Sequence, residues 1–355
     1  MTTNTRNLTS NNQDILFSRA KLSDTLNLKN RIVMAPMTRS MADDNLVPTD
    51  AMAQYYGRRA GTGLIVAEAT IITPLGQGYP NTPGLYSQAQ IDGWKKVTDN
   101  VHYHGGKIFA QIWHCGRVSH PVYLNGEKPL APSPVALTGR VPRTDGLQYG
   151  MPREITTAEI KDVIQQFAQA AANAHKAGFD GIELHAANGY LLDQFLHFET
   201  NLRTDEWGGN IQNMTRMLFD VIEAVKQEIE HVSIRLSPVG YLHIEHDPRD
   251  KAVFDYLLPR LNEYNLSYVH TGMYEDSHQD HLNATVTQYI RSHYKGTVIA
   301  NGGYDADSGR RALENGDADL IAIGRPLIAN PDYVEKVRNN QTLVEFDNEH
   351  LNSLI

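Results

Sequence analysis

Eight short apolar runs, separated by stretches of helix length, limit the fold of this chain more than any other feature. They cover residues 31–35, 64–67, 107–112, 181–184, 232–236, 268–271, 297–300 and 320–323. Each has the length of a strand buried on both faces and is rich in Ile, Val and Leu, as in parallel sheets covered by helices. Helical periodicity fills the segments between. Over 156–177, Thr156 and Glu159 make a capping box, Ile160, Val163, Ile164, Phe167 and Ala171 recur on one face, and Gly178 can close the helix. Residues 217–230 and 306–314 read the same way. Repeated strand–helix alternation predicts an α/β fold, a single (β/α)8 TIM barrel. An open doubly wound sheet is the alternative, because periodicity cannot count closure.

A chain of 355 residues suits one such domain. The expected divisions are a flexible N-terminal segment at 1–14, the barrel at 15–340 and a tail at 341–355. Residues 115–153, rich in Pro and Gly after the third strand, predict a lid subdomain over the barrel mouth. A second long polar connection, 195–213, holds Trp207-Gly208-Gly209, an aromatic plug followed by a sharp turn. Both leave the carboxyl ends of strands, the face on which barrel active sites lie.

A net charge of −9 argues against nucleic acid as the main partner. The one cysteine, Cys115, excludes an intrachain disulfide and any Cys-based metal centre. No apolar stretch approaches the ~20 residues of a membrane span, and no charged-then-apolar leader is evident. The expectation is a cytoplasmic monomer or homodimer acting on small molecules. His243-Ile-Glu-His246 and His278-Gln-Asp-His281 have metal-like spacing but no third ligand in view, so they are expected to be solvated loop histidines and no metal is predicted.

The strand ends carry the chemistry. The fourth run stops on His185, with Asn188 and Tyr190 just beyond. Two donors aimed at one point suit a substrate oxygen gathering negative charge, and a phenol adds a proton source. The other ends supply Pro36-Met37-Thr38, Glu68-Ala69, Gln111, Arg235, Asn301-Gly302-Gly303 and Gly324-Arg325. Glycines after the seventh strand and Gly-Arg after the eighth match the usual phosphate position of barrels. Gln111, Arg235 and Thr38 could bond the polar edge of a planar ring, so flavin mononucleotide fits. Pyridoxal phosphate fits less well, since no lysine stands at a strand end. Neither a dinucleotide-binding glycine fingerprint nor a Walker loop is present.

These pieces together resemble the old yellow enzyme family of flavin-dependent ene-reductases, near its bacterial N-ethylmaleimide and pentaerythritol tetranitrate reductase branch. The matching segments are Asn30-Arg31-Ile-Val-Met-Ala-Pro36-Met37-Thr38-Arg39, Glu68-Ala69-Thr70, Gln111-Ile-Trp113-His-Cys-Gly116-Arg117 and His185-Ala-Ala-Asn188-Gly-Tyr190. They continue with Asn201-Leu-Arg203-Thr-Asp205-Glu-Trp207-Gly208-Gly209, Arg235-Leu-Ser-Pro238, Gly302-Gly303-Tyr304 and Gly324-Arg325-Pro326. The resemblance implies that Pro36, Met37, Thr38, Ala69, Gln111, Arg235, Gly302, Gly303, Gly324 and Arg325 hold FMN. It makes His185 and Asn188 the carbonyl- or nitro-binding pair and Tyr190 the proton donor, with Tyr79 and Trp113 lining the pocket. NADPH or NADH would supply hydride transiently, for an electrophilic alkene such as an enone, maleimide or nitroalkene. The tail departs from the family's glycine- and tyrosine-rich ending. Two other readings stay open: a flavin-free lyase or hydrolase with His185 as base and Glu183 or Glu68 assisting, and a flavin redox sensor without turnover.

Overall fold

The computed structural model describes residues 14–355, so all but Asp14 of the expected flexible segment lies outside the described residues. Eight strands form the barrel: β1 (Ile32–Met34), β2 (Leu64–Val66), β3 (Ile108–Trp113), β4 (Gly181–Ala186), β5 (Val232–Leu236), β6 (Val269–Thr271), β7 (Val298–Ala300) and β8 (Leu320–Ile323). All neighbours run parallel. Closure is explicit: Ile321 of β8 pairs with Ile32 of β1, and Ile65 of β2 pairs with Ile108 of β3. The open-sheet alternative is thereby excluded. Helices α1 (Asp50–Gly57), α2 (Gln88–Tyr103), α3 (Thr157–Lys176), α4 (Ile211–Val225), α5 (Asp250–Leu261), α6 (Val286–His293), α7 (Ala306–Glu314) and α8 (Tyr333–Arg338) follow the strands in turn.

Strand periodicity sorts the interior into layers. Val33, Leu64, Val66, Phe109, Tyr268, Ile299, Leu320 and Ala322 form one apolar cluster inside the barrel. The neighbouring strand positions of the same parity are polar: Gln111, Glu183, His185, Arg235 and His270. The lower barrel is therefore packed and the upper barrel chemical. Gly181 belongs to this arrangement, since a Cβ there would lie 2.5 Å from the Phe109 ring.

Two expected boundaries move. The helix expected at 217–230 spans Ile211–Val225, because the Asn210 side chain accepts from the Asn213 N–H and starts it earlier. The connection expected at 195–213 accordingly ends at that cap. Helix α3 keeps its Thr156–Glu159 capping box. Within 115–153, Leu130–Ala131 pairs in parallel with Arg153–Glu154. Arg203 ties the two long connections together, donating to the carbonyls of Pro132 (3.1 Å) and Ile155 (2.7 Å) while pairing with Asp205. Arg143 reaches from residues 115–153 to the carbonyls of Thr38 and Arg39. Among the described residues no helix is long and apolar enough to cross a membrane.

Candidate active site

Strand β4 delivers His185 to the barrel mouth, and a tight loop then sets Asn188 and Tyr190. Asn188 has a left-handed backbone (φ +62°), which asparagine tolerates better than most residues. A buried chain of hydrogen bonds holds it there. The Asn188 N–H donates to Ser237 Oγ at 2.8 Å, and Ser237 donates to Asp193 Oδ2 at 3.2 Å. Asp193 also accepts the Gly189 N–H at 2.8 Å. Its other oxygen lies 3.0 Å from His197 Nε2, and His197 Nδ1 lies 2.7 Å from Asp250. With a carboxylate at each ring nitrogen, His197 donates twice and is an imidazolium. Burial lowers its pKa, but the carboxylates, Asp193 foremost, more than offset this and raise it to about 10.

The face above is aromatic. Trp113 stacks on Tyr79 (5.7 Å between centroids) and on His185 (5.8 Å), and meets Tyr190 edge-on at 4.4 Å. The Tyr190 and Tyr79 hydroxyls are 2.9 Å apart. Burial, followed by the Arg235 charge and the nearby His270 ring, holds the His185 pKa well below the usual range, so its ring is neutral. Its buried Nδ1 has no partner among the described residues. Asn188 commits one amide hydrogen to Gly272 O at 2.6 Å, leaving the second for a ligand. Burial pushes the Tyr190 phenol far above its ordinary pKa, so it holds its proton at neutral pH.

Below lies a polar floor. Gln111 donates to Glu183 at 2.7 Å, and His270 Nδ1 contacts the other Glu183 oxygen at 2.8 Å. Burial would raise Glu183, but His270, Arg235 and Gln111 outweigh it and keep the carboxylate ionised. Arg235 bonds Thr271 O and Asn301 Oδ1, and its remaining terminal nitrogen has no partner among the described residues. Glu68 accepts from the Arg39 N–H and from Tyr56. Neither Glu183 nor Glu68 hydrogen-bonds His185, so the base-and-assistant reading loses its geometry.

At the phosphate position, Gly302 (φ +144°) and Gly303 (φ +76°) take backbones that disfavour side chains. A Cβ on Gly302 would lie 2.5 Å from the Asp276 nitrogen. The N–H groups of Gly302, Gly303 and Gly324 make no bond to a described protein acceptor. Arg325 stands exposed beside them, donating to the Tyr274 hydroxyl at 2.6 Å with Phe346 of the tail nearby. Pro36, Met37 and Thr38 border the mouth half-buried, and Ala69 is buried. Unpaired glycine amides with a guanidinium suit a phosphate, and the open Arg235 nitrogen and Gln111 amide suit a polar ring edge. The residues present fit FMN.

Some expectations need correction or addition. His243 is half-buried rather than a freely solvated loop histidine: it packs edge-on to Tyr149 and Tyr190, and its Nε2 lies 3.3 Å from Tyr79. His246 and His281 do come together, with rings 4.4 Å apart, but no group of three metal ligands exists among the described residues. Cys115 is buried, and burial raises its thiol well above the reactive range. Sequence reasoning missed Ser237, Asp193, His197 and Asp250. Its one available signal was an acidic residue set in the apolar run Leu191-Leu192-Asp193.

A closed parallel barrel whose strand ends carry free glycine amides beside a guanidinium, and two neutral donors beside a phenol, suits a flavin-dependent oxidoreductase. The model of the NADH:flavin oxidoreductase / NADH oxidase family matches residues 16–343. The chain belongs to this family and is an oxidoreductase of the old yellow enzyme type. It is 40% identical over 344 residues to 12-oxophytodienoate reductase 7 of Oryza sativa subsp. japonica, covering 90% of this chain and 86% of that one. Among solved structures, the old yellow enzyme homologue from Zymomonas mobilis superposes with a TM-score of 0.89 at 36% identity, covering 95% of this chain and 96% of that one. Morphinone reductase in complex with tetrahydroNAD gives 0.88 at 39% identity, covering 95% and 93%.

Proposed function

We propose that this protein reduces activated C=C bonds in α,β-unsaturated carbonyl compounds, maleimides or nitroalkenes, using FMN and NAD(P)H. The observation that carries this is the convergence of neutral His185, the spare Asn188 amide hydrogen and the protonated Tyr190 phenol on one aromatic-lined space. FMN would be held by Pro36, Met37, Thr38, Ala69, Gln111, Arg235, Gly302, Gly303, Gly324 and Arg325, and when bound it supplies hydride to the β-carbon of the alkene. His185 and Asn188 bind the substrate oxygen and draw electron density from the double bond. Their bonds strengthen as the oxygen becomes enolate-like, so they lower the barrier rather than merely anchor the substrate. Tyr190 delivers the proton to the α-carbon. Tyr79 and Trp113 shape the pocket, and residues 115–153 act as its lid.

NADPH is proposed as a donor alongside NADH, and the cytoplasm as the compartment, in keeping with a single buried cysteine. The deciding experiment is a visible spectrum of the purified protein before and after anaerobic NADPH, then after 2-cyclohexenone. A flavin spectrum that bleaches and returns with the enone is expected. A protein that stays colourless after incubation with FMN would favour the lyase or hydrolase reading. Bleaching without recovery would favour a redox sensor.

A further inference from the structure

His243 occupies a place that a loop residue does not reach by chance. Arg117, fully buried, donates to the His243 carbonyl at 2.6 Å and pairs with Glu199 at 3.0 Å. Glu199 in turn accepts the Glu245 N–H at 3.0 Å, so the chain is clamped on both sides of the imidazole. Gly189 makes room for it, since a Cβ there would lie 2.5 Å from the His243 Cβ. The ring that results lies against Tyr190, and its Nε2 is 3.3 Å from the Tyr79 hydroxyl. Tyr79 has the Tyr190 hydroxyl 2.9 Å away on its other side. His243 Nδ1 has no bond among the described residues and is not among the atoms sealed from solvent.

We propose that Tyr79 and His243 form the path along which Tyr190 regains its proton from solvent after each turnover. The inference rests on the reading of Tyr190 as proton donor. When the Tyr190 O–H bond breaks and a C–H bond forms at the α-carbon, using the enolate's electron pair, a phenolate is left in a buried site. Desolvation makes such an anion costly, so donation is slow unless a second proton follows at once. Tyr79 passes its hydroxyl proton to Tyr190, and His243 passes its Nε2 proton to Tyr79. Nδ1 then takes a proton from water, so each turnover consumes one solvent proton and leaves the other tautomer of the ring. Tautomer exchange through solvent restores the start. His243 acts through Tyr79 and touches neither substrate nor cofactor.

The test uses the FMN-loaded enzyme, reduced anaerobically and then reoxidised in a stopped-flow instrument by 2-cyclohexenone or by ferricyanide, which needs no carbon protonation. His243→Phe keeps the aromatic packing and removes the proton carrier. Its reoxidation by the enone, relative to ferricyanide, should fall about 10-fold, less than the ~10²–10⁴ of a general acid itself. Tyr79→Phe should give the same ratio, and added imidazole should restore the enone rate of His243→Ala. As a readout independent of turnover, ¹⁵N NMR of the His243 ring should show one favoured tautomer that Tyr79→Phe abolishes. An unchanged ratio in both variants, or failure of imidazole to rescue, overturns the relay while Tyr190→Phe stays slow. If Tyr190→Phe itself reoxidises normally with the enone, the donor reading fails and the relay with it.

Discussion

The Asn188 backbone N–H donates to the Ser237 hydroxyl at 2.8 Å, joining the loop after β4 to the end of β5. Ser237 relays that bond to Asp193, which also holds the Gly189 N–H. The left-handed Asn188 is thus kept in place by a buried hydroxyl. Ser237→Ala leaves the buried Asn188 N–H unsatisfied, a cost of ~1–3 kcal/mol. The expected result is weaker binding of carbonyl ligands with little change in FMN content, read by titrating the flavin spectrum with a ligand and by the absorbance ratio of the purified protein.

If His185 and Asn188 together bind the substrate oxygen, removing either should weaken stabilisation of the enolate-like oxygen. By analogy with a lost oxyanion-hole donor, each Ala variant should lose ~2.7–4 kcal/mol at the transition state. Anaerobic stopped-flow reoxidation of the reduced enzyme by an enone measures this. The loss should appear in the limiting rate as well as in apparent affinity. A change confined to affinity would mean that the pair binds ground state and transition state alike.

The barrel was legible because parallel strands covered by helices need continuous apolar runs, and all eight overlap observed strands. Residues such as Gln111, His185 and Arg235 stood out because polar groups ending such runs have few bland explanations. Asp193, His197 and Asp250 did not, because their meaning lies in contacts between α5 and the segment after β4 that no local pattern encodes. His243 was misjudged for a related reason. Its neighbours in sequence are polar, while its neighbours in space are Tyr79, Tyr149 and Tyr190. The early start of α4 at Ile211 was hidden because a polar Asn210 reads equally as loop or cap.

The glycine amides beside Arg325 lead to a prediction about cofactor choice. If Arg325 and the Gly302, Gly303 and Gly324 amides receive a phosphate, the apoprotein should bind FMN more tightly than riboflavin. Arg325→Ala removes a charge-assisted bond worth ~1.5–3 kcal/mol. It should shrink the FMN-to-riboflavin affinity ratio about 10- to 100-fold while leaving riboflavin binding nearly unchanged. Fluorescence quenching titrations of the two flavins check this, and equal weakening of both would place the phosphate elsewhere.

The buried imidazolium of His197 ties stability to pH with a definite sign. Its pKa is raised from an unfolded value near 6.5 to about 10, so the folded state binds the proton more tightly than the unfolded chain. The stabilisation is therefore complete below pH ~6.5, declines steadily above it, and is lost as pH rises through about 10. Asp250→Asn keeps the shape of one partner and removes its charge. Breaking a buried ion pair in this way costs roughly 3–5 kcal/mol, felt in full below pH ~6.5 and fading toward pH 10. Urea unfolding of both proteins between pH 6 and 10 measures the difference. A gap that stays constant over that range would mean that His197 is neutral at pH 7 and that Asp250 acts only through its shape and its bond to the Phe198 N–H.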